Sequence, residues 1–325
     1  MLGVILDAAS LGPDINLSRL LNLGPEWQVY ADTPADLIDE RIQGANLVLT
    51  NKVRLSALSL GKATQLQFIG VMATGVNNVD LKAAQQHNII VSNAVGYATP
   101  SVVQHTMTLI LALATRLNLY RRDVQAGNWQ QSKIFCLLDH PILELNGKTL
   151  GIVGLGELGS QVAKVAECFG MRVLVAQSSS GDALPANPSS YPRLPLEQLL
   201  PQVDILSLHC PWVPATDRLI NAHTLRLMKP SALLINTARG GLVDSTALLA
   251  ALQAGTIAGA GIDVLPIEPP TQAEPLLTVA LDNLIITPHT AWAGLESRQR
   301  LLAQVCENVE GFLQKTPCRQ VVAED

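Results

Sequence analysis

The chain has 325 residues, 48% of them hydrophobic and 15% charged, which is enough apolar material for two cored domains and excludes an intrinsically disordered protein. A formal net charge of -5 offers no basic footprint, so nucleic acid is not an expected partner. The five cysteines, Cys136, Cys168, Cys210, Cys306 and Cys318, show no CxxC spacing and are odd in number, which reads as free thiols in a reducing, cytoplasmic compartment, with neither a disulfide framework nor a metal site.

In chain order, Met1 to Asp7 has no basic segment followed by a long apolar run, so no signal peptide is expected. The first candidate strands are Val4–Leu6, Leu47–Thr50, Gln67–Val71 and Ile89–Val91. A break follows at Gly96–Pro100, where Thr99 suits an N-cap and Pro100 a first helical turn. Ser101 to Leu119 is apolar nearly all round and predicts one buried helix. Its longest apolar stretch, Met107–Ala114, is far too short to cross a bilayer, so no membrane association is expected. A second set of strands is predicted at Thr149–Val153, Arg172–Ala176, Ile205–Leu208, Ala232–Asn236, Gly259–Val264 and Leu284–Thr287. Ser178–Pro195, rich in Ser, Pro and Ala, reads as an irregular loop. From Gly294 to Gln314 a final amphipathic helix presents Leu295, Leu302, Val305, Val309 and Phe312 at helical spacing. Strands alternating with helices imply βαβ units, and their nearly unbroken apolar character implies parallel sheets covered on both faces.

Leu150–Gly159 reads L-G-I-V-G-L-G-E-L-G, placing Gly154, Gly156 and Gly159 between an apolar strand and a helix. The first glycine permits a tight turn, the second a close backbone approach to a pyrophosphate, and the third close helix–strand packing. The helix N-terminus offers N–H groups to phosphates. An acid about 20 residues further on would normally bind the adenosine ribose. The next strand ends instead at Gln177, which can bond a hydroxyl yet does not repel a 2′-phosphate. Ser178, Ser179 and Ser180 follow and could bond that phosphate. The expected cofactor is therefore NAD(H) or NADP(H), without strict NAD preference.

Three later segments continue directly from predicted strands: T-A-R-G-G with Arg239, D-V-L-P-I-E-P-P with Asp263 and Glu268, and P-H-T-A-W with His289 and Trp292. Ligands of open parallel sheets bind at the carboxyl ends of strands, so these residues are carried towards the nucleotide crevice. The chemistry of ketone reduction wants these types. An alkoxide must be protonated, and His has the pKa nearest neutrality. A neighbouring carboxylate orients and charges it. An Arg grips a carboxylate and polarises the carbonyl beside it. His209, in S-L-H-C-P, also ends a strand but has no acid partner, so His209, Cys210 and Pro211 are placed at the cofactor site. His105 is expected to pack in its helix, and His87, His140 and His223 carry no signal.

Together with M-K-P-S-A-L-L-I-N-T-A-R-G-G-L-V-D from Met228, these motifs make the chain resemble the D-isomer-specific 2-hydroxyacid dehydrogenase family over its whole length, with its glycerate dehydrogenase and hydroxypyruvate reductase branch most similar. T-N-K-V from Thr50, V-M-A-T-G-V-N-N-V-D from Val71 and Y-A-T-P-S-V-V-Q-H-T from Tyr97 support that branch less firmly. The resemblance implies an α/β chain of two Rossmann-like domains with parallel sheets. Residues 1–98 plus 291–325 would form a flavodoxin-like substrate domain completed by the C-terminal helix, and 99–290 the dinucleotide-binding domain. It implies Arg239, Glu268 and His289 as catalytic residues. Glu157 and Leu158 would lie over the pyrophosphate, Thr237 and Ala238 near the nicotinamide ribose, and Asp263 at the carboxamide. Trp292 would complete the cofactor set. Lys52, with Asn51, and the loop Ala73, Thr74 and Gly75 would meet the substrate carboxylate. A small 2-keto acid, hydroxypyruvate or glyoxylate, would be reduced, and a homodimer would form through the arm Arg116–Leu145. Two other readings share the fold: a cofactor-sensing scaffold, which the retained Arg239, Glu268 and His289 disfavour, and formate or phosphite oxidation. Formate enzymes of the family place Gln opposite the histidine where this chain has Glu268.

Overall fold

Short runs of branched apolar residues become strands here because they are too short to bury a helix and fit a pleat covered on both faces. The structure, a computed structural model, describes residues 1–178, 191–270 and 274–323. The chain divides into two compact units, Met1–Pro100 with Trp292–Asp325, and Ser101–Ala291.

The first unit is built on a five-stranded parallel sheet of β1 (Leu2–Ile5), β2 (Glu26–Val29), β3 (Leu47–Thr50), β4 (Phe68–Val71) and β5 (Ile90–Ser92), in the spatial order β2-β1-β3-β4-β5. That is the flavodoxin-like order, whose direction reverses between β1 and β3. Val4, Val48 and Ile69 face one layer of core. Ile5, Leu47, Leu49 and Phe68 face the other, against Leu301, Val305 and Val309 of the helix Leu295–Leu313. Phe68 stacks on Phe312 of that helix with ring centroids 4.9 Å apart. β2 was not expected from the sequence: its four residues, E-W-Q-V, form a largely exposed edge strand without an apolar run. Trp27 lies over Gly3, where a Cβ would come within 2.6 Å of the ring. At the opposite edge the chain near its C-terminus pairs with β5, Val321 N donating to Val91 O at 2.8 Å, which covers an otherwise open strand.

The second unit carries a seven-stranded parallel sheet of β6 (Thr149–Val153), β7 (Arg172–Ala176), β8 (Arg193–Leu194), β9 (Ile205–Leu208), β10 (Leu233–Asn236), β11 (Gly259–Ile262) and β12 (Leu284–Ile286). Their order is β12-β11-β10-β9-β6-β7-β8. The direction of strand succession reverses between β6 and β9, where open α/β sheets bind nucleotides. Ile152, Ile205, Leu233 and Ile235 pack with Val103, Met107 and Leu113 of the helix Thr99–Ala114 and with Val162 and Ala163 of the helix Glu157–Cys168. The other face packs Leu206, Leu208 and Leu234 with Leu225, Leu248 and Leu252.

Two expectations are corrected. The single helix predicted over Ser101–Leu119 is two helices, Thr99–Ala114 and Leu117–Gln125, separated by Arg116 at φ 55°. The Thr115 hydroxyl donates to Leu111 O at 2.6 Å, and the following segment, L-N-L-Y-R-R-D-V-Q, has no buried residue to keep it on the first helix's axis. Within the loop expected at Ser178–Pro195, Arg193 and Leu194 form β8, registered on Val175 and Ala176. Ser179 and Ser180 lie outside the described residues.

Phe68 is fully buried and holds the C-terminal helix to the first sheet. Phe68→Ala is expected to destabilise that unit by about 3–5 kcal/mol, read as a lower urea midpoint, with Phe68→Leu costing clearly less. Equal midpoints for the wild type and Phe68→Ala would contradict this packing.

Candidate active site

The nucleotide turn begins where β6 ends. Gly154 has φ +93°, and a Cβ there would meet Cys210 N at 2.6 Å, so the turn runs directly against the end of β9. Gly156 caps the helix Glu157–Cys168, and a Cβ on it would meet nothing within 4 Å, leaving its backbone open to an approaching group. Gly159 sits on Gly154 O, too close for any side chain. Glu157 and Leu158 are the first residues of that helix, whose N–H groups and dipole favour an anion. Gln177 directly follows β7, exposed, its N–H donating to Leu194 O at 2.9 Å.

His209 and Cys210 follow β9 beside that turn. Burial pushes the His209 imidazole down to about 4, so it is neutral at physiological pH. Its Nε2 lies 2.8 Å from Ser207 Oγ, while its buried Nδ1 has no partner among the described residues. Burial also raises the Cys210 thiol, which stays protonated. A phosphate-open helix end beside an orphaned ring nitrogen fits a dinucleotide, and Gly154, Gly156, Glu157 and Leu158 are the residues that would hold its pyrophosphate. Among the described residues no group of three His, Cys, Asp or Glu could hold a metal ion.

Arg239, Glu268 and His289 come from three different strand ends and line one pocket with Trp212, Gly240, Gly241, Val264, Leu265 and Pro266. Arg239 is set by Asn236, which is fully buried at the end of β10. The Asn236 amide accepts from Ala238 N at 3.0 Å and donates to Arg239 O at 2.9 Å. Gly240 runs so close to the Leu265 and Pro266 backbone that no side chain fits. Glu268 is tied at one oxygen by Leu265 N at 2.8 Å, and its other oxygen lies 2.5 Å from His289 Nδ1. With Nδ1 engaged by a carboxylate, proton exchange falls to Nε2.

His289 itself has φ 54°, a left-handed conformation that a non-glycine residue adopts only when its surroundings impose it. Asp263 imposes it. The Asp263 carbonyl accepts His289 N at 2.8 Å, and its carboxylate accepts Thr290 N and Ala291 N, both at 2.9 Å, and the Thr287 hydroxyl at 2.5 Å. His105 Nε2 donates to that hydroxyl at 2.9 Å and lies 3.4 Å from Asp263 Oδ1. Burial pushes the Asp263 carboxyl up, but the bonds from His105, Thr287, Ala291 and Thr290 outweigh it and hold it below the usual carboxylate range.

Asp263, expected at a carboxamide, has a fully buried side chain bonded to internal donors, and it shapes the histidine loop. The hydroxyl of Thr237, expected near a ribose, lies 3.0 Å from Thr106 Oγ1. His105, expected to pack in its helix, also belongs to the Asp263 network. Ala238 is nearly buried in the turn before Arg239, and Pro211 is exposed. Asn236 and Trp212 were missed. An Asn closing the apolar run L-L-I-N, and an indole after H-C-P, were the available signals.

The remaining candidates lie in the first unit. Asn51, Lys52 and Val53 direct their N–H groups to the buried Asp7 carboxylate, with Lys52 N closest at 2.6 Å. Ala73, Thr74 and Gly75 follow β4; Ala94 N donates to Ala73 O at 3.0 Å and Asn93 Nδ2 to Thr74 O at 2.7 Å. Trp292 packs on the core beside the C-terminal helix.

Residues 107–291 match the family model for the D-isomer specific 2-hydroxyacid dehydrogenase, NAD binding domain. The chain belongs to the D-isomer specific 2-hydroxyacid dehydrogenase family. It is 42% identical to a glycerate dehydrogenase of Methylorubrum extorquens over 98% of both chains, and 36% identical to a hydroxypyruvate reductase of Blautia hydrogenotrophica over 98% of both. Its fold matches the crystal structure of an NADPH-dependent glyoxylate/hydroxypyruvate reductase from Sinorhizobium meliloti in complex with NADP and malonate, with a TM-score of 0.82, 26% identity, and coverage of 98% of this chain and 96% of that one. The protein is thus an NAD(P)-dependent oxidoreductase of the 2-hydroxyacid dehydrogenase type. No helix among the described residues is long and apolar enough to cross a membrane.

Asp263→Asn places an amide N–H where Thr290 or Ala291 already donates. The expected loss is about 1–3 kcal/mol at pH 7 in chemical denaturation. A carboxyl whose folded pKa is depressed stabilises the fold fully above its unfolded value, near about 3.9, and loses that contribution as pH falls through the folded value. The difference between the wild type and Asp263→Asn should therefore shrink below about pH 4. A difference unchanged between pH 7 and pH 3 would contradict the clamp.

Proposed function

We propose that the protein reduces a small 2-keto acid, hydroxypyruvate or glyoxylate, to the D-2-hydroxy acid. The reading rests on the 2.5 Å pairing of His289 Nδ1 with Glu268 in one pocket with Arg239. A reduced nicotinamide, when bound, would supply the hydride for C2. Arg239 holds the substrate carboxylate and polarises the carbonyl, so negative charge developing on oxygen meets a fixed cation. His289 Nε2 gives its proton to that oxygen, and Glu268 stabilises the imidazolium before transfer and keeps the ring oriented. Oxidation of the hydroxy acid runs the same steps backwards, with neutral His289 taking the hydroxyl proton. Within the first unit, Lys52 and the turn Ala73–Gly75 remain the residues that the family resemblance assigns to a carboxylate. Gln177 leaves the adenosine end without a repelling carboxylate, so both NADH and NADPH serve.

Turnover of hydroxypyruvate and glyoxylate with each reduced cofactor, followed by loss of cofactor absorbance, tests this directly. His289→Ala is expected to lower kcat by about 10²–10⁴-fold with the cofactor Kd unchanged. Near-wild-type turnover in that variant, or no turnover of either keto acid by the wild type, would overturn the assignment.

The arm 116–145 exposes Trp129, Ile134, Phe135, Leu138 and Ile142, with Phe135 90% exposed. Trp129 Nε1 donates to Phe135 O at 3.0 Å, and Tyr120 OH to His140 O at 2.8 Å, so the apolar side chains are presented on a tied-down loop. We infer that a second copy of this chain covers them, giving a homodimer. Light scattering should give twice the chain mass, and Phe135→Asp should shift it towards one. A wild-type protein that scatters as a monomer at micromolar concentration would refute the dimer.

A further inference from the structure

The lining of the pocket that holds Arg239, Glu268 and His289 includes one aromatic side chain, Trp212, which the chemistry above does not use. Its indole is 50% exposed and is fixed on two sides. One face lies against Gly241 so closely that no side chain could stand there. At its edge, Nε1 donates to Asp217 Oδ1 at 2.8 Å. The loop beneath it is braced as well: Thr216 Oγ1 donates to Pro211 O at 2.8 Å and accepts from Val213 N at 2.9 Å. The ring is thus held by a close backbone contact and a hydrogen bond before any ligand arrives, and half of the residue stays exposed.

We propose that Trp212 determines substrate specificity by forming a rigid apolar wall of this pocket, admitting 2-keto acids with a small, neutral substituent and excluding those with bulky or charged ones. The proposal rests on the keto-acid reading above. Arg239 and His289 take the carboxylate and the carbonyl oxygen, so the remaining variable part of such a substrate is the group on C2. An indole that cannot swing aside sets a steric limit on that group. It also offers no partner to a second carboxylate or a phosphate, which would lose water there without a replacement bond. The neighbouring Glu268 carboxylate adds repulsion against the same groups. A flexible aliphatic side chain would impose neither limit as sharply, because it can change rotamer.

The test compares kcat/KM for glyoxylate, hydroxypyruvate, 2-ketoisocaproate, phenylpyruvate and oxaloacetate in the wild type, Trp212→Leu and Asp217→Ala. Trp212→Leu should raise kcat/KM for the bulky acids relative to hydroxypyruvate by about tenfold or more. The cofactor Kd should stay within a factor of about two to three, the scatter ordinary for a change outside a binding site. Asp217→Ala keeps the ring and removes its tether, so it should shift the ratio in the same direction by less. A uniform fall for all five acids would mean that Trp212 only supports the loop, and a change confined to cofactor affinity would place it against the nucleotide. Either result overturns the proposal while leaving the keto-acid reading intact. No wild-type turnover of any of the five removes both.

Discussion

The Asp263 carboxylate is buried at the end of β11, with the next strand's loop folded around it. A carboxylate taken out of water is costly unless every lone pair finds a donor. Here the donors are two backbone N–H groups and a hydroxyl from a single stretch, Thr287 to Ala291, with His105 close by. Satisfying that charge fixes the path of the loop, and the path puts His289 in a left-handed conformation it would not choose alone. The Glu268 carboxylate meets the imidazole that this corner holds in place. The energetic demand of one acid and the geometric demand of the site are met by the same bonds.

A comparable device stands behind Arg239. Asn236 closes β10 with a side-chain amide that bridges the turn from both sides. At the nucleotide turn the constraint is steric instead: Gly154 and Gly159 each stand where a Cβ would strike backbone, as Gly240 does beside Arg239. In the first unit Asp7 gathers the N–H groups of Asn51, Lys52 and Val53, again at the carboxyl end of a strand beside a reversal in strand order. Buried polar groups at strand ends recur because the chain leaves the sheet there, and its unpaired backbone groups need partners.

Much of this was legible in residues alone. The glycines of L-G-I-V-G-L-G-E-L-G announce a nucleotide turn because each position has a separate steric reason. Strand ends followed by T-A-R-G-G, D-V-L-P-I-E-P-P and P-H-T-A-W point to Arg239, Glu268 and His289, since parallel topology carries strand ends to one rim. β2 and β8 were illegible because edge strands bury little and so show no apolar run. The end of the first long helix at Arg116 was equally hidden, since no glycine or proline marks it. His105 looked like packing because its partners, Asp263 and Thr287, lie more than 150 residues away in the chain.

The sequence by itself determined the strand and helix alternation, the nucleotide turn, the residue types of the candidate site and the family, because each depends on local spacing or on motifs read contiguously. Tertiary structure decided which atoms meet. It turned Asp263 and Thr237 inward, set His289 Nδ1 on Glu268, and laid an indole across Gly241. Those outcomes depend on how buried donors and acceptors are matched across distant segments, a pairing that no single stretch of chain encodes.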